Sequence, residues 1–405
     1  MDNLTHTLTG LVLARAGAVQ GSRRATAALV IGSNLPDADS IAGFYGNLYY
    51  LEHHRGITHS LPGLCLLSLL LAGLLGARTR RRAPGASPVR PLRLLVLSWL
   101  AQAIHLAMDY LNSYGVRPFL PWEGRWFYGD LAFIVDPWMW LLLGAALFVS
   151  WPGPRMLGLG WIFLGVSTGF LVLAGALDSE LAVPWSVPAL WIGGACLAVL
   201  LRSRLLAPVR FPAGRFSFRR LSEPALACRL ALVALVLYGL LLAVSHQGAL
   251  ARIARESGEL LGGARARSIA ALPVPANPFR WVGIVEAPEL LFIKTGAAWI
   301  RLPRRLDEPA VRSVRAHCAG AALFRFYRFP VADVEPSGAG FEVVLRDARY
   351  RREGRSGFGA AALALGSDLS VIAESRCPPP AAWAHRRSSS FSYCFGPGPD
   401  GRIPP

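Results

Sequence analysis

Apolar residues in the first 250 positions are grouped in long runs. A helix needs about 20 mostly apolar residues to cross a bilayer. Six segments approach that length, at about 61–77, 92–111, 133–151, 156–177, 186–201 and 227–247. Two shorter apolar segments, at about 5–19 and 25–36, are expected to span obliquely, to re-enter or to pack inside the bundle. The pattern therefore predicts an α-helical polytopic membrane protein with six long and two short apolar helices.

The pattern changes after the last long run. Short β-branched and aromatic stretches alternate with Gly, Pro and Asp turns, as in RWVGIVEAPELLFIKTG and GFEVVLRDARYR, and such stretches are typical of a β-rich domain. Four regions are expected along the chain. These are a transmembrane helical domain at 1–250, a Pro-rich connector at 251–280, a β-rich domain at 281–376 and an irregular tail at 377–405.

Composition agrees with a membrane protein. Hydrophobic residues make up 53% and charged residues only 17% of the 405 positions, and the mean hydropathy of +0.39 excludes an ordinary soluble protein. Lys and Arg number 42 against 25 Asp and Glu, which gives a formal net charge of +17. Almost all of this excess is arginine. We attribute it, with the abundant Ala, Gly and Pro, to genome composition, so no nucleic acid partner is expected.

The distribution of arginine predicts the orientation of the helices. Sixteen arginines fall in loops that alternate to one side of the membrane, at 15–24, 78–93, 155 and 202–220, and three fall in the loops on the other side. Arginine-rich loops stay in the cytoplasm. Residues 248–405, which follow the last long helix, are therefore expected on the extracytoplasmic side. The sequence offers nothing from which a protein partner can be inferred.

Ionisable residues gather at the predicted outer ends of the apolar segments. They are His6, Asp37, Asp39, His53, His54, His59, His105, Asp109, Asp130 and Asp136. His105 and Asp109 are four residues apart and so project from one helix face. Pro36 ends a helix and leaves Asp37 and Asp39 on an extended turn, where alternate residues reach a common point. Arginine counting takes no account of ligands, so this convergence is an independent indication of one site.

The residue types in this group favour a transition metal. Imidazole nitrogens with carboxylate oxygens suit Zn²⁺, Mn²⁺ or Fe²⁺, and the group contains no cysteine. The candidates outnumber the three or four ligands that one zinc takes, which favours two or more ions, a common device for phosphoester hydrolysis. Each residue taken alone could have a structural role in place of metal binding. Asp37 and Asp39 could be turn residues, and Asp109 could be part of a helix end. His53 is expected to be a neighbour of the site.

Two arginines lie among these residues on the side where arginine is scarce. Arg55 falls between His54 and His59, and Arg117 follows the segment that carries His105. Because a guanidinium binds phosphate through paired N–H groups, both are candidate anion-binding residues. The alternative is that each forms a structural ion pair.

Six motifs in the first 138 residues resemble one known family. In chain order they are MDNLTHTLTG, LPDAD, HRGITHS, HLAMDYLNSYG, RPFLPW and FIVDPW. Together they are similar to the YdjM/YbcI family of inner-membrane metal-dependent hydrolases. That family in turn resembles, more distantly, the zinc-dependent phospholipase C and single-strand nuclease superfamily, whose His and Asp ligands lie on helices. The embedding of the motif helices in a bilayer and the added β-rich domain set this chain apart from those soluble enzymes.

The resemblance implies a ligand set and roles for individual residues. The implied ligands are His6, Asp37, Asp39, His54, His59, His105, Asp109 and Asp136. Two or three zinc ions are expected, with manganese or iron as alternatives. Asp39 or Asp136 is expected to orient the attacking water, and Arg55 or Arg117 to bind the phosphate.

The expected protein is therefore a multi-pass, metal-dependent hydrolase of the bacterial inner membrane, with its metal site and C-terminal domain outside the cytoplasm. Its substrate is expected to be a phosphoester of a lipid or polyprenyl-linked molecule, so membrane lipids are the expected partners. One alternative is a transporter or metal-handling protein that uses the same ligands for passage. Another is a non-catalytic envelope or stress-response scaffold. The inner halves of the helices are nearly pure Leu, Ala, Val and Gly, which argues against transport.

Overall fold

The fold is described from a computed structural model of the chain. The described residues are 1–19, 22–77, 90–150, 155–177, 183–206, 224–350 and 358–372. The arginine-rich segments at 78–89 and 207–223 lie outside these residues, as does the tail expected at 377–405.

Nine α-helices form the N-terminal region within the described residues. They are α1 Asn3–Leu13, α2 Arg23–Gly32, α3 Asn47–His53, α4 Leu61–Ala77, α5 Pro91–Tyr110, α6 Pro137–Ser150, α7 Arg155–Leu177, α8 Ser186–Leu206 and α9 Pro224–Leu260. The six long apolar segments correspond to α4 to α9, and the two short segments correspond to α1 and α2. The last helix continues well past the expected end at 247.

Four of the described helices, α5, α7, α8 and α9, contain a stretch long and apolar enough to cross a membrane. A fifth span results if residues 47–59 and α4, which are bent by 70° at their junction, are counted as one crossing. Helix α6 has 14 residues and is shorter than the roughly 20 that a bilayer requires. The predicted class, a polytopic helical protein with a C-terminal β-rich region, is confirmed, with fewer full-length spans than expected.

Two apolar cores hold the helices together. In the first, Ala25 and Leu29 of α2 pack against Leu94 and Ala101 of α5, with Ala72 of α4. The second joins α1, α6 and α9 through a cluster that contains Leu8, Val12, Trp140, Leu143 and Cys228. Small residues on α2 allow its backbone to lie close to α5, as is usual where helices associate in a bilayer.

Large apolar side chains also cover the outside of the bundle. Phe163 and Phe170 on α7, Leu190 on α8, and Leu237 and Val244 on α9 are each at least 60% exposed. In water such a surface would promote aggregation. It is the surface expected of helices that face lipid, and it supports the assignment of α7, α8 and α9 to the membrane.

Two antiparallel sheets and two helices form the C-terminal region. The first sheet has the order β1 Ser268–Val274, β2 Asn277–Glu286, β3 Leu290–Thr295 and β4 Ala298–Pro303. The helices α10 Pro309–Ala316 and α11 Cys318–Phe326 follow. The second sheet has the order β5 Pro330–Ser337, β6 Gly340–Asp347 and β7 Ala361–Leu365. All neighbouring strands are consecutive in sequence.

The expected Pro-rich connector at 251–280 is ordered structure. It comprises the end of α9, all of β1 and the start of β2. Pro273 lies at a register shift in β1, which is an edge strand, and edge strands and bulges are where sheets accept proline. Ile253 of α9 packs on Ala271 and Val285 of the first sheet. A seven-residue segment, 261–267, connects α9 to β1, and the helix packs directly on the sheet.

The C-terminal domain also packs on the loops of the helical region. Leu51 of α3 and Tyr114 of the loop after α5 share an apolar core with Val311, Leu323 and Phe326 of the domain. Three polar contacts border this core. They are Arg325 to Glu52 at 2.6 Å, Arg328 to Asp130 at 2.8 Å, and Trp126 Nε1 to the Arg325 carbonyl at 3.0 Å.

Candidate metal centre

Three pieces of backbone bring the ionisable residues together. His105 and Asp109 lie one turn apart near the end of α5. His59 ends a short 3₁₀ turn, Ile57–His59, between α3 and α4. Asp37 and Asp39 lie in a longer 3₁₀ helix, Leu35–Tyr45, where the sequence predicted an extended turn.

This 3₁₀ helix sends its two aspartates in different directions. With three residues per turn, side chains two positions apart point away from each other. Asp37 faces His59 and His105, whereas Asp39 faces His54 and the other edge of the His59 ring. The two carboxylates therefore contact different nitrogens of the His59 ring.

Four ligand atoms converge at one point. They are Asp37 Oδ1, His59 Nε2, His105 Nε2 and Asp109 Oδ2, all within 4.8 Å of one another. His59 Nε2 is 3.3 Å from both carboxylate oxygens and 3.1 Å from His105 Nε2. His105 Nε2 is 3.4 Å from Asp109 Oδ2 and 3.7 Å from Asp37 Oδ1. Four ligands at about 2.0–2.1 Å from a tetrahedral zinc would lie about 3.3 Å apart.

The chemistry of these atoms fits a cation as well. All four residues are buried, with Asp109 and His59 at 0% exposure. Asp109 Oδ2 has no hydrogen-bond partner among the described residues, although two imidazole nitrogens lie within 3.4 Å of it. A buried carboxylate oxygen left without a donor is costly. A metal ion between the oxygen and the nitrogens would satisfy it.

The outer edges of both imidazoles are occupied. His105 Nδ1 lies 2.8 Å from the Ser33 carbonyl oxygen, so it must donate its proton there. His59 Nδ1 lies 3.2 Å from Asp39 Oδ2 and 3.1 Å from Thr58 Oγ1. With the protons on Nδ1, both Nε2 lone pairs point into the centre. Partners of this kind commonly orient histidine ligands of metals.

A second group of three ligands adjoins the first. Asp37, Asp39 and His54 each offer an atom within 4.8 Å of the others, and Asp37 belongs to both groups. His54 Nδ1 is hydrogen-bonded to Asp39 Oδ1 at 2.7 Å. A carboxylate shared by two groups is suited to bridge a pair of ions.

The two aspartates of the 3₁₀ helix are held in their charged form. Burial alone would raise the pKa of each carboxyl, but the His59 and His105 rings beside Asp37, and the hydrogen bonds from His54 and His59 to Asp39, outweigh it. The pKa of both carboxyls therefore lies below its ordinary value. Both are anionic at neutral pH, which is the state that binds a cation.

Arg55 is engaged within the site and does not present a free guanidinium. It is 1% exposed, and its Nη2 donates to Asp109 Oδ1 at 2.8 Å. Its Nη1 donates to Asn112 Oδ1 at 3.0 Å and to the Gly115 carbonyl at 3.1 Å. Its backbone N–H donates to Asp39 Oδ2 at 2.9 Å. Arg55 therefore forms a structural ion pair with Asp109, which is the alternative to anion binding.

Arg117 is also occupied. Its Nη2 donates to the Glu52 carbonyl at 2.8 Å, and its guanidinium lies over the Trp126 ring, 4.4 Å from the centroid. In this structure it supports the main chain beside the site and does not extend towards the four ligand atoms.

His6 lies beside the centre. Its Nε2 is 3.3 Å from Asp109 Oδ1, and its ring stacks on His105 with centroids 3.8 Å apart. The α-amino group of Met1 contacts the same Asp109 oxygen. His6 Nδ1 is buried and has no hydrogen-bond partner among the described residues. The structure thus brings His6 to the site but not into either ligand group.

Asp136 is not brought to the cluster. Its Oδ1 accepts from the N–H groups of Trp138 at 2.9 Å and Met139 at 3.2 Å, and its Oδ2 accepts from the Tyr238 hydroxyl at 2.8 Å. Because Pro137 begins α6, Asp136 is the residue that caps it. Burial raises the pKa of this carboxyl to about 6. Its structural role is a helix cap, in place of the implied ligand or water-orienting role.

The remaining ionisable residues of the predicted group lie to the side. His53 Nδ1 is 2.9 Å from the Tyr49 carbonyl, and Asp130 pairs with Arg328. Sequence reasoning missed Thr58, whose hydroxyl donates to Asp39 Oδ2 at 2.6 Å. Its place next to His59 in the ITHS motif was the available signal. The Ser33 carbonyl had no signal, because a main-chain oxygen is present at every residue.

Gly63 allows the turn that carries His59 to pack against the start of α4. A Cβ atom at Gly63 would lie 1.8 Å from the Ile57 carbonyl oxygen, whereas one at Gly73 of the same helix would meet nothing within 4 Å. We expect Gly63→Ala to destabilise the protein by about 1–3 kcal/mol. Gly73→Ala should leave stability unchanged or raise it by up to about 1 kcal/mol. Thermal unfolding in detergent measures both, and equal midpoints for the two variants would contradict this account.

Comparison with known proteins identifies the N-terminal part of the chain. Residues 1–177 match the YdjM inner membrane protein family, so the predicted resemblance is confirmed over this part of the chain. The uncharacterized protein YfhP of Bacillus subtilis (strain 168) is 30% identical over 177 residues, which are 41% of this chain and 52% of that protein. The chain thus spans about half the length of this curated relative. No solved structure matches the chain. The distant relation to zinc-dependent phospholipases and nucleases stays a prediction.

Proposed function

We propose that this chain, whose residues 1–177 match the YdjM inner membrane protein family, is a membrane-bound metal-dependent hydrolase. Its substrate is a phosphoester of a lipid or polyprenyl-linked molecule, and its site lies at the outer face of the membrane. Zinc is the proposed metal. The observation that carries the proposal is the convergence of Asp37, His59, His105 and Asp109 on one buried point at the ligand spacing of a tetrahedral ion.

The residues of the centre fall into two groups: candidate metal ligands, and residues whose hydrogen bonds orient those ligands. Asp37, His59, His105 and Asp109 would hold one ion, and Asp37 with Asp39 and His54 would hold a second. When bound, such ions activate water and neutralise charge that develops on a phosphoryl group. Asp39 Oδ1 accepts a hydrogen bond from His54 Nδ1, and Arg55 Nη2 donates to Asp109 Oδ1, the oxygen that does not face the other ligand atoms.

The position of the site supports a substrate from the membrane. His105 and Asp109 lie at the end of an apolar helix, and the exposed sides of α7 to α9 suit contact with lipid. The arginine distribution supports a position of this end of the helices outside the cytoplasm. A lipid could therefore keep its hydrocarbon chain in the bilayer while its phosphate reaches the centre.

Removal of metal tests the proposal directly. We expect detergent-purified protein to contain stoichiometric zinc and to release phosphate or a phosphorylated headgroup from at least one member of a panel of phospholipids and polyprenyl phosphates. Treatment with a chelator should abolish this turnover, and added Zn²⁺ should restore it, because the proposed activation of water and phosphate depends on the ion. Metal content by mass spectrometry and product release are the two measurements. Full turnover by metal-free protein, or purified protein without stoichiometric metal, would show the proposal to be wrong.

A further inference from the structure

A buried arginine of the C-terminal domain reaches into the loop beside the metal centre. Arg349 lies in a short turn, Ala348–Tyr350, directly after β6, and its side chain is 0% exposed. Its Nη1 donates to the Ser113 carbonyl at 2.9 Å and to the Tyr114 carbonyl at 3.3 Å. Both carbonyls belong to the loop that follows α5. One domain thus supplies the hydrogen bonds that fix the main chain of the other.

The same loop holds Arg55. The Tyr114 N–H donates to Asn112 Oδ1 at 2.9 Å, and that oxygen also accepts from Arg55 Nη1 at 3.0 Å. Arg55 Nη1 donates to the Gly115 carbonyl too, at 3.1 Å. From there Arg55 Nη2 reaches Asp109 Oδ1 at 2.8 Å. A continuous series of hydrogen bonds therefore connects the Arg349 guanidinium to a carboxylate of the candidate metal centre.

Arg349 is itself fixed in one orientation. Its Nε donates to Asp347 Oδ2 at 2.9 Å, and its Nη2 lies 2.8 Å from the same oxygen and 2.8 Å from the Phe326 carbonyl. Asp347 is 0% exposed in this pair. A planar guanidinium held on several sides transmits position better than a flexible ammonium group would.

We propose that Arg349 is a positioning residue for the metal centre, through which the C-terminal domain sets the geometry and the affinity of the ion bound at Asp109. The inference rests on the proposed metal-dependent function. Arg349 does not touch the four ligand atoms, and its effect is carried by the main chain of Ser113 and Tyr114 and by Arg55. Partners one step behind the ligands commonly change metal affinity about 10–100-fold.

Two other arginines of the same domain provide matched controls. Arg304 is 5% exposed and pairs with Glu286 at 2.7 Å within the domain, so its loss disturbs the fold of the domain without touching the loop after α5. Arg328 pairs with Asp130 and so docks the domain on the helical region without contacting Arg55 or Asn112 in the bonds described. Each control removes one guanidinium that is paired with a carboxylate.

The test is Co²⁺ titration of the full-length protein in detergent, followed by the visible absorption of the bound ion. We expect Arg349→Gln to raise the Co²⁺ dissociation constant about tenfold, the lower end of the range for a partner directly behind a ligand, because Arg349 acts through Arg55. The absorption bands should also change, since they report ligand geometry. Arg349→Lys should give a smaller change. Arg304→Gln and Arg328→Gln should stay within about twofold of wild type, which is below the range expected for a positioning partner.

The outcomes separate this inference from the proposed function. Wild-type affinity and an unchanged spectrum in Arg349→Gln overturn the inference alone, and so does an equal loss of affinity in Arg304→Gln. Wild-type protein that takes up no Co²⁺ overturns both. If Arg349→Gln does not fold, the double variant Asp347→Asn with Arg349→Gln removes the buried pair together, and the same affinity and spectral criteria decide.

Discussion

His59→Ala protein is expected to lose its bound metal. His59 Nε2 lies within 3.3 Å of three other ligand atoms and is the member of the group closest to the rest. Alanine removes this ligand and also the hydrogen bond that the ring makes with Asp39. Changes one step behind a metal ligand already weaken binding about 10–100-fold. We therefore expect at least a 100-fold loss of zinc affinity, measured by metal analysis after dialysis and by competition with a zinc chelator.

His53→Ala is the matched control for this prediction. His53 lies in the same histidine-rich stretch, but its ring stacks on Tyr49 and its Nδ1 is bonded to the Tyr49 carbonyl. Its loss should leave the zinc content unchanged. Wild-type zinc content in both variants would contradict the assignment of His59. Loss of zinc from both variants would indicate that the whole stretch had unfolded.

Arg55→Met protein is expected to be strongly destabilised. Arg55 places its guanidinium against Asp109 at 2.8 Å, and both side chains are almost entirely buried. Removing one partner of a buried ion pair typically costs about 3–5 kcal/mol, and we expect a loss at the lower end of this range because the Met1 α-amino group also contacts Asp109 Oδ1. Methionine keeps much of the side-chain volume, so the effect reports lost charge and hydrogen bonds more than a cavity. A fall in the thermal midpoint in detergent, with chelator present so that no metal compensates, is the measurement.

Arg117→Met provides the comparison. Arg117 lies beside the same loops but donates to the main-chain oxygens of Glu52 and Arg55, with Trp126 under its guanidinium. Arg117→Met should lower the free energy of unfolding clearly less than Arg55→Met does. Loss of the Arg117 guanidinium leaves carbonyl groups, and not a buried carboxylate, without a partner. If both variants unfolded at the same temperature, the special role given to the Arg55 to Asp109 pair would be wrong.

The helices and the residues that converge at the candidate metal centre could be predicted from sequence because both depend on local rules. A bilayer demands long apolar runs, and these coincide with α4 to α9. The i, i+4 spacing of His105 and Asp109 places them on one face of any helix. The HRGITHS motif indicated His59 because ionisable residues at the start of an apolar membrane segment are costly and are usually functional.

The rest of the site depends on contacts that local sequence does not encode. The partner of Arg55 is 54 positions away, at Asp109, so its role as a buried counter-ion could not be distinguished from phosphate binding. Arg349 is a further 240 positions along the chain from Asp109, and its acceptors are main-chain carbonyls. Asp136 is the opposite case, since its local sequence Asp-Pro-Trp is itself a helix start and its carboxylate caps α6.

The uninterrupted α9 has a consequence for how the two halves of the molecule are aligned. Its 37 residues extend about 55 Å, well beyond the roughly 30 Å hydrocarbon layer, and Ile253 near its far end packs on the first sheet. Each residue of an α-helix advances the chain by about 1.5 Å and turns it by about 100°. The number of residues between the membrane and the sheet therefore sets both the height and the rotational phase at which the C-terminal domain meets the loop after α5. A single insertion in this helix would swing the domain by more than a quarter turn, so the length of α9 is as much a part of the site as the side chains that line it.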